Sequence, residues 1–196
     1  MLGIAETSIS GSIPSTIGDL KKLQTLSIYT SLLSGPIPVE IGDCTELENI
    51  YLYENSLSGL VPSSLQRLKN LKNLLLWQNS LVGVIPPELG NCLQLELQLS
   101  MNQISCSIPT QIGNCKSLTH IEQDNNEITG TIPSKIGNFE NLTLLFLWQN
   151  HLEGSIPSSV SNCQNLEAID LSQNSLTGLI PKGLFNLKSL NKLLLL

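Results

Sequence analysis

The chain has 196 residues and a formal net charge of −6, with 13% charged and 4% aromatic residues. The acidic balance and a pI near 4.8 count against nucleic acid or an anionic membrane surface as the partner. The low aromatic content favours one repeated aliphatic layer over a conventional globule. No secretory signal follows Met1 and no apolar stretch is long enough to span a bilayer, so neither is expected in this chain.

From Met1 onward, a recurring Ile-Pro step, once Val-Pro, divides the chain into units. The prolines of this step are Pro14, Pro38, Pro62, Pro86, Pro109, Pro133, Pro157 and Pro181. Neighbouring prolines are 24 residues apart, except for Pro86 and Pro109, which are 23 apart. A fixed period of this length is typical of a solenoid, in which each repeat stacks on the next.

Each unit carries the pattern L-x-x-L-x-L-x-x-N-x-L-x-G-x-I-P. The x-L-x-L-x alternation predicts a short strand with one buried face, able to pair with its copy in the next unit. The pattern therefore predicts a single domain over residues 1–196, an α/β-type leucine-rich repeat solenoid. We expect a right-handed superhelix of about eight repeats plus a truncated ninth, with parallel strands on the concave face and 3-10 helices and loops on the convex face.

An asparagine recurs where the chain leaves most of the predicted strands. Its amide can both donate to and accept from backbone groups that the turn would otherwise leave buried and unpaired. We expect a ladder of these side chains through the stack. They are Asn55, Asn79, Asn102, Asn126, Asn150 and Asn174.

The residues between the inward leucines point out of the concave face. All three tyrosines, both tryptophans and one of the three phenylalanines fall there. Exposed rings on a rigid surface favour peptide recognition, because they bury area at low entropic cost; the alternative is that such rings simply suit exposed strand positions. The candidate ligand-binding residues are Tyr29, Tyr51, Tyr53, Glu54, Trp77, Gln78, Glu122, Asp124, Phe146, Trp148 and Asp170. Their charges are all acidic, which favours a neutral or locally basic ligand.

Catalytic and metal sites have little support in the sequence. His120 and His151 lie at different positions of the repeat, and no nucleophile has a partner at a fixed spacing. Glu122 and Asp124 share a face, but solvated charges explain them better than catalysis does. We expect no enzymatic activity, no cofactor and no metal.

Four of the five cysteines, Cys44, Cys92, Cys115 and Cys163, occupy the same point of the repeat. Their spacing is inherited from the repeat, and no close pair suggests zinc. Buried free thiols are one interpretation, and a disulfide between Cys92 and Cys115 is the other.

The sequence departs from its own pattern near the middle. The short unit lacks one residue ahead of its strand, so we expect an irregular seam over residues 93–100 in which the start of the strand bulges or slips. Gln123 stands at an inward leucine position and Cys106 at the bend glycine position. An unpaired buried amide costs about 1–3 kcal/mol. These departures indicate relaxed constraint, with a segment lost at the seam.

Particular strings carry a resemblance to a known family. They are residues 5–11 (AETSISG), 27–38 (SIYTSLLSGPIP), 74–79 (LLLWQN) and 148–150 (WQN). The SGxIP-type repeat resembles the plant extracellular repeats of receptor kinases and polygalacturonase-inhibiting proteins. The strings are similar to the middle of the ectodomain of root meristem growth factor receptors, which are plasma-membrane receptor-like serine/threonine kinases. The resemblance covers essentially the whole chain.

The resemblance implies binding of a small, sulfated peptide on the concave face and a leucine-rich repeat co-receptor kinase as a second partner. It also implies location on the extracellular side of the plasma membrane. The family's Arg-x-Gly-Gly string, which recognises the sulfated tyrosine, is absent, since Arg67 is the only arginine. The family's signal peptide, cap, transmembrane helix and kinase domain are not expected in this chain. Asn141 begins the one N-glycosylation sequon.

Three functions therefore remain open from the sequence. The first is a peptide-binding segment of a receptor-like kinase ectodomain. The second is a free-standing repeat protein that acts as a decoy or as an inhibitor of a cell-wall enzyme, and the third is a truncated, non-functional receptor gene copy. Full-length transcript sequencing around both ends would separate them.

Overall fold

The computed structural model describes residues 1–91, 95–116 and 118–195. Within these residues the chain winds into a stack of similar turns. Each complete turn contributes one strand to a first sheet, one strand to a second sheet and one 3-10 helix. The predicted repeat solenoid is thereby confirmed.

The first sheet consists of nine parallel strands whose order in the sheet follows the chain. They are β1 (Leu2–Ala5), β3 (Thr25–Tyr29), β5 (Asn49–Tyr51), β7 (Asn73–Leu75), β9 (Glu96–Gln98), β11 (His120–Glu122), β13 (Leu144–Phe146), β15 (Ala168–Asp170) and β17 (Lys192–Leu194). Equivalent residues pair directly, as in Leu26 with Ile50. We call each of these strands, with the turn that follows it, a rung, and number the rungs 1 to 9.

A second parallel sheet of eight strands follows the first sheet in each turn. Its strands are β2 (Ser10–Gly11), β4 (Leu32–Pro36), β6 (Ser56–Leu60), β8 (Ser80–Gly83), β10 (Gln103–Cys106), β12 (Glu127–Thr131), β14 (His151–Ser155) and β16 (Ser175–Thr177). Here Ser34 pairs with Ser56, so the register is offset by two residues from the 24-residue repeat. This sheet was not expected from the sequence, because its alternation of inward and outward residues is short and broken by the bend glycine.

Eight 3-10 helices, each preceded by the proline of the Ile-Pro or Val-Pro step, line the other side of the stack. They are η1 (Ser15–Asp19), η2 (Val39–Asp43), η3 (Ser63–Arg67), η4 (Pro87–Asn91), η5 (Thr110–Asn114), η6 (Ser134–Asn138), η7 (Ser158–Asn162) and η8 (Lys182–Asn186). Neighbouring helices approach closely: a Cβ on Gly42 would lie 2.4 Å from the Ser64 carbonyl oxygen. The helices lie on the convex side of the stack, away from the first sheet.

The space between the sheets and the helices is filled by one continuous cluster of leucine and isoleucine side chains. Asparagine amides line its edge. The Asn126 Oδ1 accepts from the Ile104 N–H at 3.0 Å, and its Nδ2 donates to the carbonyl oxygens of Leu99 and Gln123 at 3.0 and 3.2 Å. The same pattern of bonds recurs at Asn55, Asn79, Asn102, Asn150 and Asn174.

The strand of the short repeat does not slip. In β9, Leu97 pairs with Leu74 on one side and with Ile121 on the other, in the same parallel register as its neighbours. The missing residue is therefore absorbed before Glu96, and residues 93 and 94 of the expected seam lie outside the described residues. Leu95 is buried at 1% exposure, so the inward leucine is kept despite the shorter spacing.

Two other departures from the repeat pattern affect the structure locally. Gln123 is 1% exposed, and its Oε1 atom has no hydrogen-bond partner. Cys106 has a φ of 103°, in the left-handed region that Gly35 and Gly59 occupy at the equivalent position. The regular repeat has leucine at the position of Gln123 and glycine at the position of Cys106, and these residues would suit the two positions better.

The thiols of Cys44 and Cys163 are buried against carbonyl oxygens of the preceding turn, at 3.1 and 3.2 Å. Burial raises the pKa of the Cys163 thiol to about 11, so it is a poor nucleophile. The Cys115 sulfur lies 3.2 Å from the Leu89 carbonyl oxygen. The alternative interpretation, a disulfide between Cys92 and Cys115, involves Cys92, which lies outside the described residues.

Candidate functional site

Rungs 1 to 8 present three outward residues each, so the concave face carries three columns. The first column is Gly3, Ser27, Tyr51, Leu75, Gln98, Glu122, Phe146 and Asp170. The second column is Ala5, Tyr29, Tyr53, Trp77, Ser100, Asp124, Trp148 and Ser172. The third column is Glu6, Thr30, Glu54, Gln78, Met101, Asn125, Gln149 and Gln173.

Third-column residues belong to the turn and not to the strand. All of them have a positive φ, with values between 48° at Thr30 and 56° at Met101. Glu54 and Gln78, both predicted to bind ligand, are therefore presented by a left-handed turn at the edge of the face. The Thr30 hydroxyl donates to the Glu54 carboxylate of the next turn.

Three aromatic rings of the second column form a continuous stack. The ring centroids of Tyr29 and Tyr53 are 4.5 Å apart at an interplanar angle of 17°, and those of Tyr53 and Trp77 are 4.7 Å apart at 8°. These distances match the spacing of paired strands, so the rings stack along the axis of the solenoid. We call Tyr29, Tyr53 and Trp77 the aromatic stack. Burial, followed by the neighbouring Tyr29, raises the pKa of Tyr53.

Trp148 lies in the same column but outside the stack. Ser100 and Asp124 occupy the two rungs between Trp77 and Trp148. Tyr51, in the first column, is half-buried, and its hydroxyl lies 3.4 Å from the Asn49 Oδ1. The structure thus brings together three of the predicted aromatic residues and places Tyr51 beside them.

The central rungs 5 and 6 are acidic. Asp124 is only 7% exposed, and it accepts hydrogen bonds from the Ser100 hydroxyl at 2.7 Å and from Asn125 Nδ2 at 2.9 Å. The interpretation of Asp124 as a solvated charge is therefore wrong, because its carboxylate is held by neighbouring side chains. Burial is the main cause that raises the pKa of Glu122; Asp124 and Glu96 also raise it, and His120 opposes them.

A further outward column precedes the first inward residue of each strand, and its residues were not among the predicted binding residues. Its central members are Glu96 and His120, whose Oε1 and Nδ1 atoms are 3.8 Å apart. Gln98 Nε2 lies 3.1 Å from Glu96 Oε1 and 3.2 Å from Glu122 Oε1, so it bridges the two carboxylates. The sequence could have indicated this column, because the alternation of outward and inward residues extends to the residue before the first inward leucine of each strand.

Asp170 and Phe146 lie at the C-terminal end of the first column. Asp170 is 7% exposed and accepts from the Ser172 hydroxyl at 2.6 Å. The Lys192 ammonium lies 5.4 Å from the centroid of the Phe146 ring and 3.8 Å from Asp170 Oδ2. This end of the face therefore already holds a cation of the chain itself.

Other features bear on the class of function. Asn141 is exposed, at the turn between η6 and β13. Among the described residues, no group of three or more His, Cys, Asp or Glu side chains is placed to hold a metal ion. Within the same part of the chain, no helix has the length and apolar character needed to cross a bilayer.

Comparison with known proteins agrees with this geometry. Family models of the leucine-rich repeat match residues 46–68, 70–92 and 140–195. No match to the chain is found among curated proteins. Over 100% of its length the chain is 56% identical to the plant peptide hormone receptor RGFR1, solved in complex with RGF2, with a TM-score of 0.82.

Two further solved structures are similar over 99% of the chain. The LRR ectodomain of the membrane receptor kinase GASSHO1/SCHENGEN3 from Arabidopsis thaliana is 39% identical, with a TM-score of 0.97. The Arabidopsis receptor kinase HAESA is 32% identical, with a TM-score of 0.95. The chain spans 35%, 23% and 33% of RGFR1, GASSHO1/SCHENGEN3 and HAESA, respectively. The chain belongs to the leucine-rich repeat family and resembles, over its whole length, the ectodomains of plant receptor kinases.

Proposed function

We propose that the concave face of this chain binds a small secreted peptide in an extended form. The chain would act as the ligand-binding segment of a plant receptor-like serine/threonine kinase ectodomain, on the extracellular side of the plasma membrane. The aromatic stack is the observation that carries this proposal. Support comes from the relatives, since RGFR1 was solved with RGF2 and HAESA with the peptide hormone IDA.

The stack suits peptide binding for a physical reason. Each ring is held by its neighbour at 4.5–4.7 Å, so little conformational entropy is lost when a ligand covers it. Nine strands at about 4.8 Å give a face about 38 Å long. An extended chain rises about 3.3 Å per residue, so about 12 residues would cover it.

A selection experiment tests the proposal. Random dodecapeptides displayed on phage would be selected against the purified chain, and selected sequences would be synthesised and measured by calorimetry. We expect the double variant Tyr53→Ser/Trp77→Ser to weaken binding by more than about tenfold, because buried aromatic residues dominate such interfaces.

The matched control is Phe185→Ser, which removes a ring that is 70% exposed on η8, away from the face. It should leave the affinity within about twofold, as expected for a residue outside the interface. Failure to select any peptide, or equal binding by the double variant and the wild type, would contradict the proposal.

We propose in addition that the bound peptide is shared with a leucine-rich repeat co-receptor kinase, because the HAESA structure also contains the co-receptor SERK1. Size-exclusion chromatography with a purified co-receptor ectodomain should show a complex only when the selected peptide is present. Asn141 is the proposed glycan site, since it is exposed at the start of the sequon. Mass spectrometry of chain secreted from plant cells should find the glycan, and Asn141→Gln should remove it.

A further inference from the structure

The second column has a gap at the centre of the concave face. Trp77 is followed by Ser100 and Asp124 before the next ring, Trp148. We call the space over Ser100 and Asp124 the central gap. Its two rings are three strand spacings apart, which is about 14 Å. One face of Trp77 is covered by Tyr53, whose ring is almost parallel, so its other face is turned towards the small Ser100.

Carboxylates surround the central gap without a matching cation. Glu96, Glu122 and Asp124 all lie on rungs 5 and 6, and Gln98 bridges the first two. Among the ion pairs of the described residues, only His120 approaches one of these carboxylates, at 3.8 Å from Glu96. No lysine or arginine of the described chain pairs with them. Burial is the main cause of the raised pKa of Glu122, and the neighbouring Asp124 and Glu96 also raise it.

The same face shows how a cation is held two rungs further on. The Lys192 ammonium lies 5.4 Å from the Phe146 ring centroid and 3.8 Å from the Asp170 carboxylate. A ring on one rung and a carboxylate on the next thus form a cation-binding site, which a basic side chain of the chain itself occupies. The central gap offers the same two kinds of group at a wider spacing: Trp77 lies on rung 4 in the second column, and Glu122 lies two rungs further on in the first column. No lysine or arginine of the described residues forms an ion pair with Glu122.

We infer that the central gap is a subsite for an arginine side chain of the bound peptide. The guanidinium stacks on the free face of Trp77 and pairs with Glu122, while Ser100 leaves the space that it fills. Arginine fits better than lysine, because its planar group can stack and pair at the same time. This inference rests on the proposed peptide-binding function and names the ligand chemistry that one part of the face selects.

The peptide selection described above gives the first test. Sequences selected on the wild-type chain should share a basic residue at one position, and sequences selected on Glu122→Gln should not. Glu153→Gln is the matched control, because it removes the same charge from an exposed position of β14 in the second sheet. It should select the same peptides as the wild type.

The second test replaces the selected arginine with citrulline, which keeps the shape of the side chain and removes its charge. For the wild type, calorimetry should show about tenfold weaker binding of the citrulline peptide, as expected for loss of a charge-assisted contact. For Glu122→Gln the two peptides should differ by less than about twofold. Ser100→Phe should also remove the difference, because its ring fills the central gap.

The outcomes separate the two proposals. If peptides are selected but carry no basic residue, or if citrulline weakens binding equally for the wild type and Glu122→Gln, the arginine subsite is wrong and peptide binding stands. If no peptide is selected on any form of the chain, the proposed function fails and the subsite fails with it. Near-ultraviolet circular dichroism of each variant would verify that the fold is kept.

Discussion

Rungs 2 to 4 and rungs 5 to 6 share one backbone but differ in almost every other respect. Rungs 2 to 4 keep the repeat, with Gly35, Gly59 and Gly83 at the bend and aromatic rings on the outward side. Rungs 5 and 6 contain the short spacing, Cys106 in place of glycine and Gln123 in place of leucine. Their outward side chains include Glu122 and Asp124, which accept hydrogen bonds from Gln98 and Ser100 of the neighbouring rung.

The comparison shows which positions determine the backbone. The register of β9 and β11 is the same as that of the regular rungs, and the asparagine amides continue through both. The backbone therefore follows the asparagines and most of the inward leucines, while single departures are tolerated at a local cost. Outward positions are free to vary, and they give the two regions their different surfaces.

The largest effect is expected from breaking the asparagine ladder within the irregular rungs. Asn126→Ala should lower the free energy of unfolding by about 2–5 kcal/mol, because it leaves the Ile104 N–H without its partner and removes one of the two amide donors from each of the Leu99 and Gln123 carbonyl oxygens. Urea titration would measure the loss. Asn138→Ala, at an exposed position of η6, should change the free energy by less than about 0.5 kcal/mol. Equal effects of the two variants would show that the asparagine ladder does not stabilise the backbone of rung 6.

The next largest effect is expected from restoring the leucine of the regular repeat in the core. Gln123→Leu should raise the free energy of unfolding by about 1–3 kcal/mol, because the unpaired Oε1 atom is replaced by an apolar group. Thermal and urea unfolding would both register the gain. Gln111→Leu on the exposed surface of η5 serves as the control and should give no comparable gain. A loss of stability in Gln123→Leu would mean that the amide is better accommodated than its unpaired oxygen indicates.

A smaller gain is expected at the bend of rung 5. Cys106→Gly should stabilise the chain by about 1 kcal/mol, since φ is 103° there and glycine adopts this conformation without strain. Ser105→Gly, one residue earlier, should have the opposite sign, because it adds flexibility to a strand that needs none. The melting temperatures of both variants would be compared with that of the wild type. Shifts of the same sign in both variants would contradict this prediction.

The smallest effect concerns the acidic outward side of rung 6. The folded-state pKa of Glu122 is raised, so folding disfavours its ionised form, and the ionised carboxylate destabilises the native state at pH 7. Glu122→Gln should therefore raise the melting temperature slightly at pH 7. As the pH falls through the folded-state pKa, the wild-type side chain takes up a proton. The difference in melting temperature between Glu122→Gln and the wild type should therefore vanish below about pH 4. An equal difference at both pH values would contradict this account.

The sequence predicted the architecture because the period and the inward leucines repeat in every turn, as Leu74 and Leu76 illustrate. It also placed Tyr53 and Trp77 on one face, since strand alternation determines which side chains point outward. It did not predict the burial of Asp124, because partners such as Ser100 lie on another turn and their bonds depend on the turn spacing. The second sheet was not predicted because its alternation is short and is broken by the bend glycine. Its register also depends on an offset between turns that no single repeat contains.

The direct pairing in the first sheet has a consequence for the spacing of positions on the concave face. Equivalent residues of neighbouring turns are hydrogen-bonded partners there, whereas in the second sheet the partners are offset by two residues. Each outward column therefore advances by one strand spacing, about 4.8 Å, per turn. A whole turn gained or lost would change the distance between two binding positions by that step without altering any contact within either.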